Sequence, residues 1–409
     1  MRCKIFTLLF LCFSISLFSQ DWVQVSPVPD SFRSHHAFAF GIGDFGYMVA
    51  GNVPGGTSSA FFIYDPTMDE WTTLDDYPGP ARGYGIGDVY NEKAYLGFGS
   101  DNNGDYLNDL WVFDPSDESW TQLSDCPCAP RTHPAFVAQG GFIYVGMGGS
   151  DNGNLNDWWA YDITNDSWEE LPSFPSLPRH HPYQFAIGDY VYAGFGHGPL
   201  PDGGGFISKN WYRYDPATTI WMQVADHPIE GRVAGQQFSY NGKGYVLSGE
   251  GEDHRALDTG ELWEYDPGAD TWTELPPHPG WARWAPASFV VNGEVYIING
   301  VTREPGGGSY FVTDVFKFNL NELVSGQTEP IEGNFTIYPN PATDHLVIEA
   351  TNGQTIQKLD IFDSQGRHLK TVFGNSIQDN LDISTLPKGM HIIRITGTLG
   401  TYQQRVMKL

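Results

Sequence analysis

The chain is 409 residues long and carries 49 acidic against 22 basic side chains, a formal net charge of −27. Only six acidic residues lie beyond residue 333, against seven basic ones, and two more basic residues sit in the first four positions, so the middle of the chain concentrates about −30. Such a field repels nucleic acid and anionic lipid and excludes both as partners; it suits bound cations, cationic partners, or simply a soluble exported protein.

The first 19 residues open with Arg2 and Lys4, run apolar from Ile5 to Phe18 and end on small residues near Ser19. This is the pattern of a secretory signal cleaved near Ser19-Gln20. The run is too short for a membrane span and no other segment is long and apolar enough, so no transmembrane segment is expected. Cys12 is flanked by Phe13, which argues against a lipoprotein leader.

From residue 22 a repeat takes over. Tryptophans stand at Trp22, Trp71, Trp120, Trp168, Trp221 and Trp272, and each is followed 11 residues later by an arginine: Arg33, Arg82, Arg131, Arg179, Arg232 and Arg283. An aromatic–Asp pair precedes every tryptophan but the first: Tyr64-Asp65, Phe113-Asp114, Tyr161-Asp162, Tyr214-Asp215 and Tyr265-Asp266. Within one period, apolar residues alternate and Gly, Pro, Asn and Asp punctuate them, which reads as four short strands. In the second period these are 82–88, 93–99, 110–113 and 119–123. A β-repeat near 50 residues denotes a propeller, because a lone four-stranded sheet cannot bury both faces. The orphan Trp22 at one end and the orphan pair Phe318-Asn319 at the other predict six blades, the last closed by the N-terminal strand, with Trp22 beside Phe318.

The glycine ending each second strand (Gly51, Gly99, Gly149, Gly196, Gly249, Gly300), the Asn-Asp before the third strand (Asn108-Asp109, Asn156-Asp157) and Tyr-Asp-Pro followed by Trp resemble the kelch family, roughly over residues 22 to 321. The usual double glycine is complete only at Gly148-Gly149. The domain expectation is a propeller over 20–321, a polar linker over 322–333 and a further module from 334 to 409. That module opens on Tyr338-Pro339-Asn340-Pro341, carries Leu386-Pro387-Lys388-Gly389 and ends on Arg405-Val406-Met407-Lys408-Leu409. It resembles the C-terminal sorting domain of proteins exported by the type IX system of Bacteroidetes. The resemblance implies a small Ig-like β-sandwich, the type IX machinery as a partner, and a secreted or outer-membrane surface-attached product.

Six of the 13 basic residues in the middle of the chain are the repeat arginines. Placed at the start of each innermost strand, they are expected to ring one mouth of the channel, either as anion ligands or as forks that tie the sheets together. Two positions on come His35, Tyr84, His133, His181, Ala234 and Ala285, on the same side by strand parity. Three histidines on one ring suit Zn²⁺ or Cu²⁺, but the first repeat is expected far from the third and fourth across the ring. The loops Asp101–Asp105 and Asp151–Asn154 are rich in oxygen side chains and make Ca²⁺ a candidate cofactor, although turn formation explains them equally. Cys126 and Cys128 read as a surface disulfide, a free pair or metal ligands.

The loop Glu250–Arg255 is the most individual stretch. It resembles that of the sialic-acid mutarotases, and the resemblance implies Glu250 as general base with Arg255 and a ring arginine as carboxylate clamp. The leading expectation is a non-enzymatic binding module for an extracellular glycan or protein, with Tyr84, Trp281 and Trp284 available for sugar stacking. A carbohydrate-active enzyme of the mutarotase kind is the alternative.

Overall fold

The computed structural model describes residues 22–200, 203–303, 308–321, 335–350, 355–363, 368–397 and 400–409. The expected signal (1–19) and linker (322–333) lie outside the described residues. The chain divides into two compact units at Glu322 and Leu323.

In the first unit the described residues form six four-stranded antiparallel sheets, accompanied by short hairpins. The first contains Phe38–Ile42, Phe45–Val49, Phe61–Asp65 and Glu70–Leu74, from inside outward. The second contains Ile86–Tyr90, Lys93–Gly97, Leu110–Asp114 and Ser119–Leu123. The sixth is completed by Val23–Val25, which pairs antiparallel with Val315–Asn319. The innermost strands begin at Phe38, Ile86, Ala135, Tyr183, Gln236 and Ala287, and they touch one another in a closed cycle. The edges of separate sheets are thereby buried, and the fold is a β-propeller.

Five of the tryptophans lie on an outermost strand, and Trp22 immediately precedes one, each against the aromatic of the third strand. Ring centroids are 4.9 Å apart for Tyr64–Trp71, 5.1 Å for Phe113–Trp120 and 5.2 Å for Trp22–Phe318. Except at Trp120, the indole then reaches across to the preceding sheet. Trp71 Nε1 donates to the Ser26 carbonyl at 3.2 Å, Trp168 Nε1 to Ser124 at 2.8 Å and Trp272 Nε1 to Ala225 at 3.0 Å. The aspartate of the aromatic–Asp pair accepts the amide two residues on, as Asp65 does from Thr67 and Asp162 from Thr164, which sets the turn between third and fourth strands. The periodic residues therefore serve turn formation and sheet-to-sheet attachment.

The glycine series is shifted by one residue in the third repeat. The glycine that closes the third repeat is Gly148, not Gly149: Gly148 has φ +92° and its amide donates to the Arg179 carbonyl, matching Gly51, Gly99, Gly196, Gly249 and Gly300 in their own repeats. A Cβ on Gly148 would lie 2.8 Å from the Thr132 carbonyl oxygen, whereas one on Gly149 meets nothing closer than 3.5 Å. Gly148→Ala is expected to cost roughly 1–3 kcal/mol, and Gly149→Ala clearly less, in thermal or denaturant unfolding. Equal effects would remove the distinction.

The second unit holds two antiparallel sheets. One has Phe335–Tyr338, His345–Ala350 and Gln378–Asp382; the other has His368–Ser376, Ile356–Asp363, Gly389–Gly397 and Gly400–Lys408. Leu346, Ile348, Leu359, Ile361, Leu381, Ile393 and Ile395 bury one apolar core drawn from both. Among the described residues no helix is long and apolar enough to cross a membrane.

Candidate functional site

The repeat arginines precede the innermost strands rather than begin them, and five are sealed inside. Arg82 is fully buried; it grips both oxygens of Asp109 at 2.8 and 2.6 Å and donates to the Phe98 carbonyl and the Tyr77 hydroxyl. Arg131 holds Asp157 in the same two-point way at 2.6 and 2.7 Å. Arg179 donates to the Asn210 side chain and the Phe195 carbonyl, Arg232 to Glu261, and Arg283 pairs with Asp314 at 2.9 Å. Each fork bridges the start of one sheet to the entry of its third strand, the tying role that a planar guanidinium suits. These five groups have no free face at a mouth. Arg33 departs from the set: it is half-exposed, with only Asp30 at 3.9 Å. The buried position in that sheet belongs to Ser34, whose carbonyl accepts from Gly300 as the arginine carbonyls accept from their glycines. The 11-residue spacing thus misplaces the first repeat by one residue.

The same slip moves His36, not His35, into the central ring. His36, Tyr84, His133, His181, Ala234 and Ala285 all have φ between 48° and 59°. Backbone amides link them across sheets, His36 to the Ala285 carbonyl at 3.0 Å, His133 to Tyr84 and His181 to His133, both at 3.2 Å, and Ala285 to Ala234 at 2.7 Å. The expected separation of the first repeat from the third and fourth does not hold, because this ring is narrow enough for side chains to meet over the axis. His36 Nε2 lies 3.1 Å from His181 Nε2, and the His133 and His181 ring centroids are 3.6 Å apart. The ring caps a channel cavity of about 520 Å³ lined by inner strands of all six sheets.

Around it, the residues paired by short bridges after each second strand form an outer belt: His35 with Asn52, His180 with His197, Val233 with Glu250, and Trp284 with Val301. Continuous contacts run along this belt. His35 packs on Trp284 at 4.7 Å and on Phe311 at 5.5 Å, and the Arg303 guanidinium lies over Trp284 at 5.3 Å. Arg303 pairs with Glu250 at 2.6 Å, Glu250 accepts from or shares a proton with His254 Nδ1 at 3.1 Å, and His254 packs on His197 at 4.7 Å. Burial holds His35 and His180 down at about 4 and His197 at about 3, while His36, His133 and His181 lie well below the ordinary range, pushed first by burial and then by neighbouring imidazoles. The cluster is therefore neutral at pH 7.

Glu250 is buried, and desolvation raises its pKa against the opposing pull of Arg303 and His254. Arg255 is not its partner. The bridge from Glu250 to Ala256 folds the loop back, and Arg255 pairs with Glu230 while remaining half-exposed. Arg303 and His254, missed in the sequence, take that place. The only sequence signal for Arg303 is its position three residues after Gly300, the counterpart of the acidic stretch that follows Gly249. Tyr84 sits in the central ring, Trp284 in the belt, and Trp281 is exposed. Asp101 folds its carboxylate onto the Asn103 and Asp105 amides of its own loop. Among the described residues, the groupings able to offer three metal donors consist of histidines. Cys126 and Cys128 are joined as a buried disulfide.

Residues 9–196 match the model of the KLHDC2/KLHL20/DRC7 Kelch-repeats domain, and residues 336–408 match the secretion system C-terminal sorting domain. The chain is a kelch-repeat protein of Bacteroidetes type with a C-terminal sorting domain, which directs it through type IX secretion to the cell surface or outside. N-acetylneuraminate epimerase 1 of Escherichia coli O6:H1 is 26% identical over 155 residues, covering 37% of this chain and 40% of that protein. The N-acetylneuraminate epimerase of Yersinia enterocolitica serotype O:8 / biotype 1B is 30% identical over 127 residues, covering 29% and 31%. The matched segments thus span well under half of either relative. An F-box/kelch-repeat protein of Arabidopsis thaliana is 36% identical over 98 residues, 23% of this chain and 24% of its own length. The solved structure of YjhT superimposes with a TM-score of 0.51 at 16% identity, over 59% of this chain and 84% of that one, a likeness of fold alone.

Proposed function

We propose that the chain is a six-bladed kelch propeller, closed by its N-terminal strand and followed by an Ig-like sorting sandwich, that binds acidic glycans at the histidine-bearing mouth. The observation that carries this reading is Arg303. It is a partly exposed guanidinium in a strongly acidic propeller, braced by buried Glu250 and laid against Trp284, whereas five of the six repeat arginines are consumed inside the sheets. A guanidinium beside aromatic surface suits a sugar carboxylate and its ring. Glu250 then orients Arg303 and His254 rather than meeting the ligand itself.

Thermal unfolding of the full chain with N-acetylneuraminate, glucuronate and neutral sugars tests it. Acidic sugars are expected to stabilise, by about 2.7 kcal/mol at a hundred times the dissociation constant, and Arg303→Ala to abolish the effect. A shift from neutral sugars alone, or none from any sugar, rejects it. The second reading is an enzyme of the epimerase or mutarotase kind, favoured by the names of the two bacterial relatives and by the raised pKa of Glu250 beside His254. There Glu250 moves the proton and Arg303, not Arg255, holds the carboxylate. Anomer exchange followed by NMR decides: the enzymatic reading expects exchange that Glu250→Gln removes, and exchange at background rate in the unaltered chain ends it.

A further inference from the structure

We propose that the propeller binds a single transition-metal ion, Zn²⁺ or Cu²⁺, at a centre formed by His36, His133 and His181. The three side chains come from the first, third and fourth sheets, and their donor nitrogens lie within 4.8 Å of one another. His36 Nε2 and His181 Nε2 face each other at 3.1 Å. Two nitrogens bound tetrahedrally at about 2.0–2.1 Å to one ion stand roughly 3.3 Å apart, so the observed gap needs only a small adjustment. Each ring has its other nitrogen engaged by an outer imidazole: His36 Nδ1 with His35 Nδ1 at 2.7 Å, and His181 Nδ1 with His197 Nε2 at 3.4 Å. That is the outer layer that orients metal-binding histidines. With both Nδ1 atoms donating outward, two bare Nε2 lone pairs point at each other, an arrangement that a cation between them stabilises.

His133 supplies an independent sign. Both of its ring nitrogens are buried and find no hydrogen-bond partner among the described residues. A buried polar atom left unmatched is costly, so two on one ring call for a ligand. Its ring lies 3.6 Å from that of His181 and 5.0 Å from that of His36. A grouping made of three imidazoles, with neither carboxylate nor thiolate in it, selects Zn²⁺ or Cu²⁺ over Ca²⁺ or Mg²⁺. Three protein donors also leave a tetrahedral position open for water or a ligand atom. The proposal does not depend on the acidic-glycan reading, because Arg303 and Glu250 take no part in it.

The test uses the full chain, stripped with EDTA, equilibrated with Zn²⁺ or Cu²⁺, desalted and analysed for metal. About one ion per chain is expected to remain, and the Cu²⁺ form is expected to show paramagnetic resonance coupling to imidazole nitrogens. The double variant His133→Ala/His181→Ala is expected to lose at least about 100-fold in affinity, and Arg303→Ala to retain the ion. Retention well below one ion per chain, a Cu²⁺ spectrum without imidazole nitrogens, or undiminished binding by the double variant overturns the proposal. Should the double variant not fold, stoichiometry and spectrum of the unaltered chain still decide.

Discussion

Replacing Arg82 with alanine is expected to destabilise the propeller by roughly 3–5 kcal/mol and to lower its thermal midpoint by on the order of 10 °C. The guanidinium is fully buried and is held by Asp109 at two points, by the Phe98 carbonyl and by the Tyr77 hydroxyl. Its removal strands the Asp109 carboxylate, whose side chain is only 12% exposed, with Trp111 Nε1 as its remaining side-chain donor among the described residues, at 2.8 Å. The large cost is the uncompensated charge, not the net worth of the pair. Arg82→Lys is expected to recover only part of it, since one ammonium cannot occupy both carboxylate oxygens and a carbonyl in a single plane. Arg33→Ala is the internal comparison and is expected to leave the midpoint unchanged, because Arg33 is exposed and its partner stands at 3.9 Å. Similar losses at both positions would show that the buried forks do not carry the sheets.

The second large effect is acid sensitivity. Lowering the pH from 7 to 5 is expected to cost the fold several kcal/mol in chemical unfolding. Histidine ordinarily titrates near 6.5, while His35 and His180 are held at about 4 and His197 at about 3, with His36, His133 and His181 also lowered, by burial first. The folded state therefore takes up fewer protons than the unfolded chain below pH 6.5. Stability is complete above that value and falls as the pH drops towards 4. At about 1.4 kcal/mol per pH unit, each such group costs on the order of 2 kcal/mol by pH 5. Asp88, pushed up to about 6 by burial, and Glu250, also raised by burial, work in the opposite direction, but they are two carboxyls against these six imidazoles and against His227 and His278, both held at about 3 by burial. The double variant His180→Gln/His197→Asn is expected to flatten the slope. A stability that does not change between pH 7 and 5 would contradict the neutral cluster.

Much of this was legible along the chain. The tryptophan and aromatic–Asp periods announced the sheets, their pairing and the Trp22–Phe318 closure, because those contacts are made once per repeat by residues at fixed strand positions. The sorting module was legible from Tyr338-Pro339-Asn340-Pro341 and the chain end. The site was read less well. Counting along the sequence put Arg33 and His35 where the fold puts Ser34 and His36, since a one-residue slip before an inner strand leaves no mark on the spacing. Arg255 was the obvious partner for Glu250, but a loop that doubles back at Ala256 turned it toward Glu230 and left the place to Arg303, some fifty positions away and in another sheet. The meeting of His36, His133 and His181 was hidden for the same reason. Repeat spacing records the contacts inside a sheet and to its neighbour, while the distance across a closed ring depends on how tightly all the sheets pack around the axis, which only the tertiary structure decides.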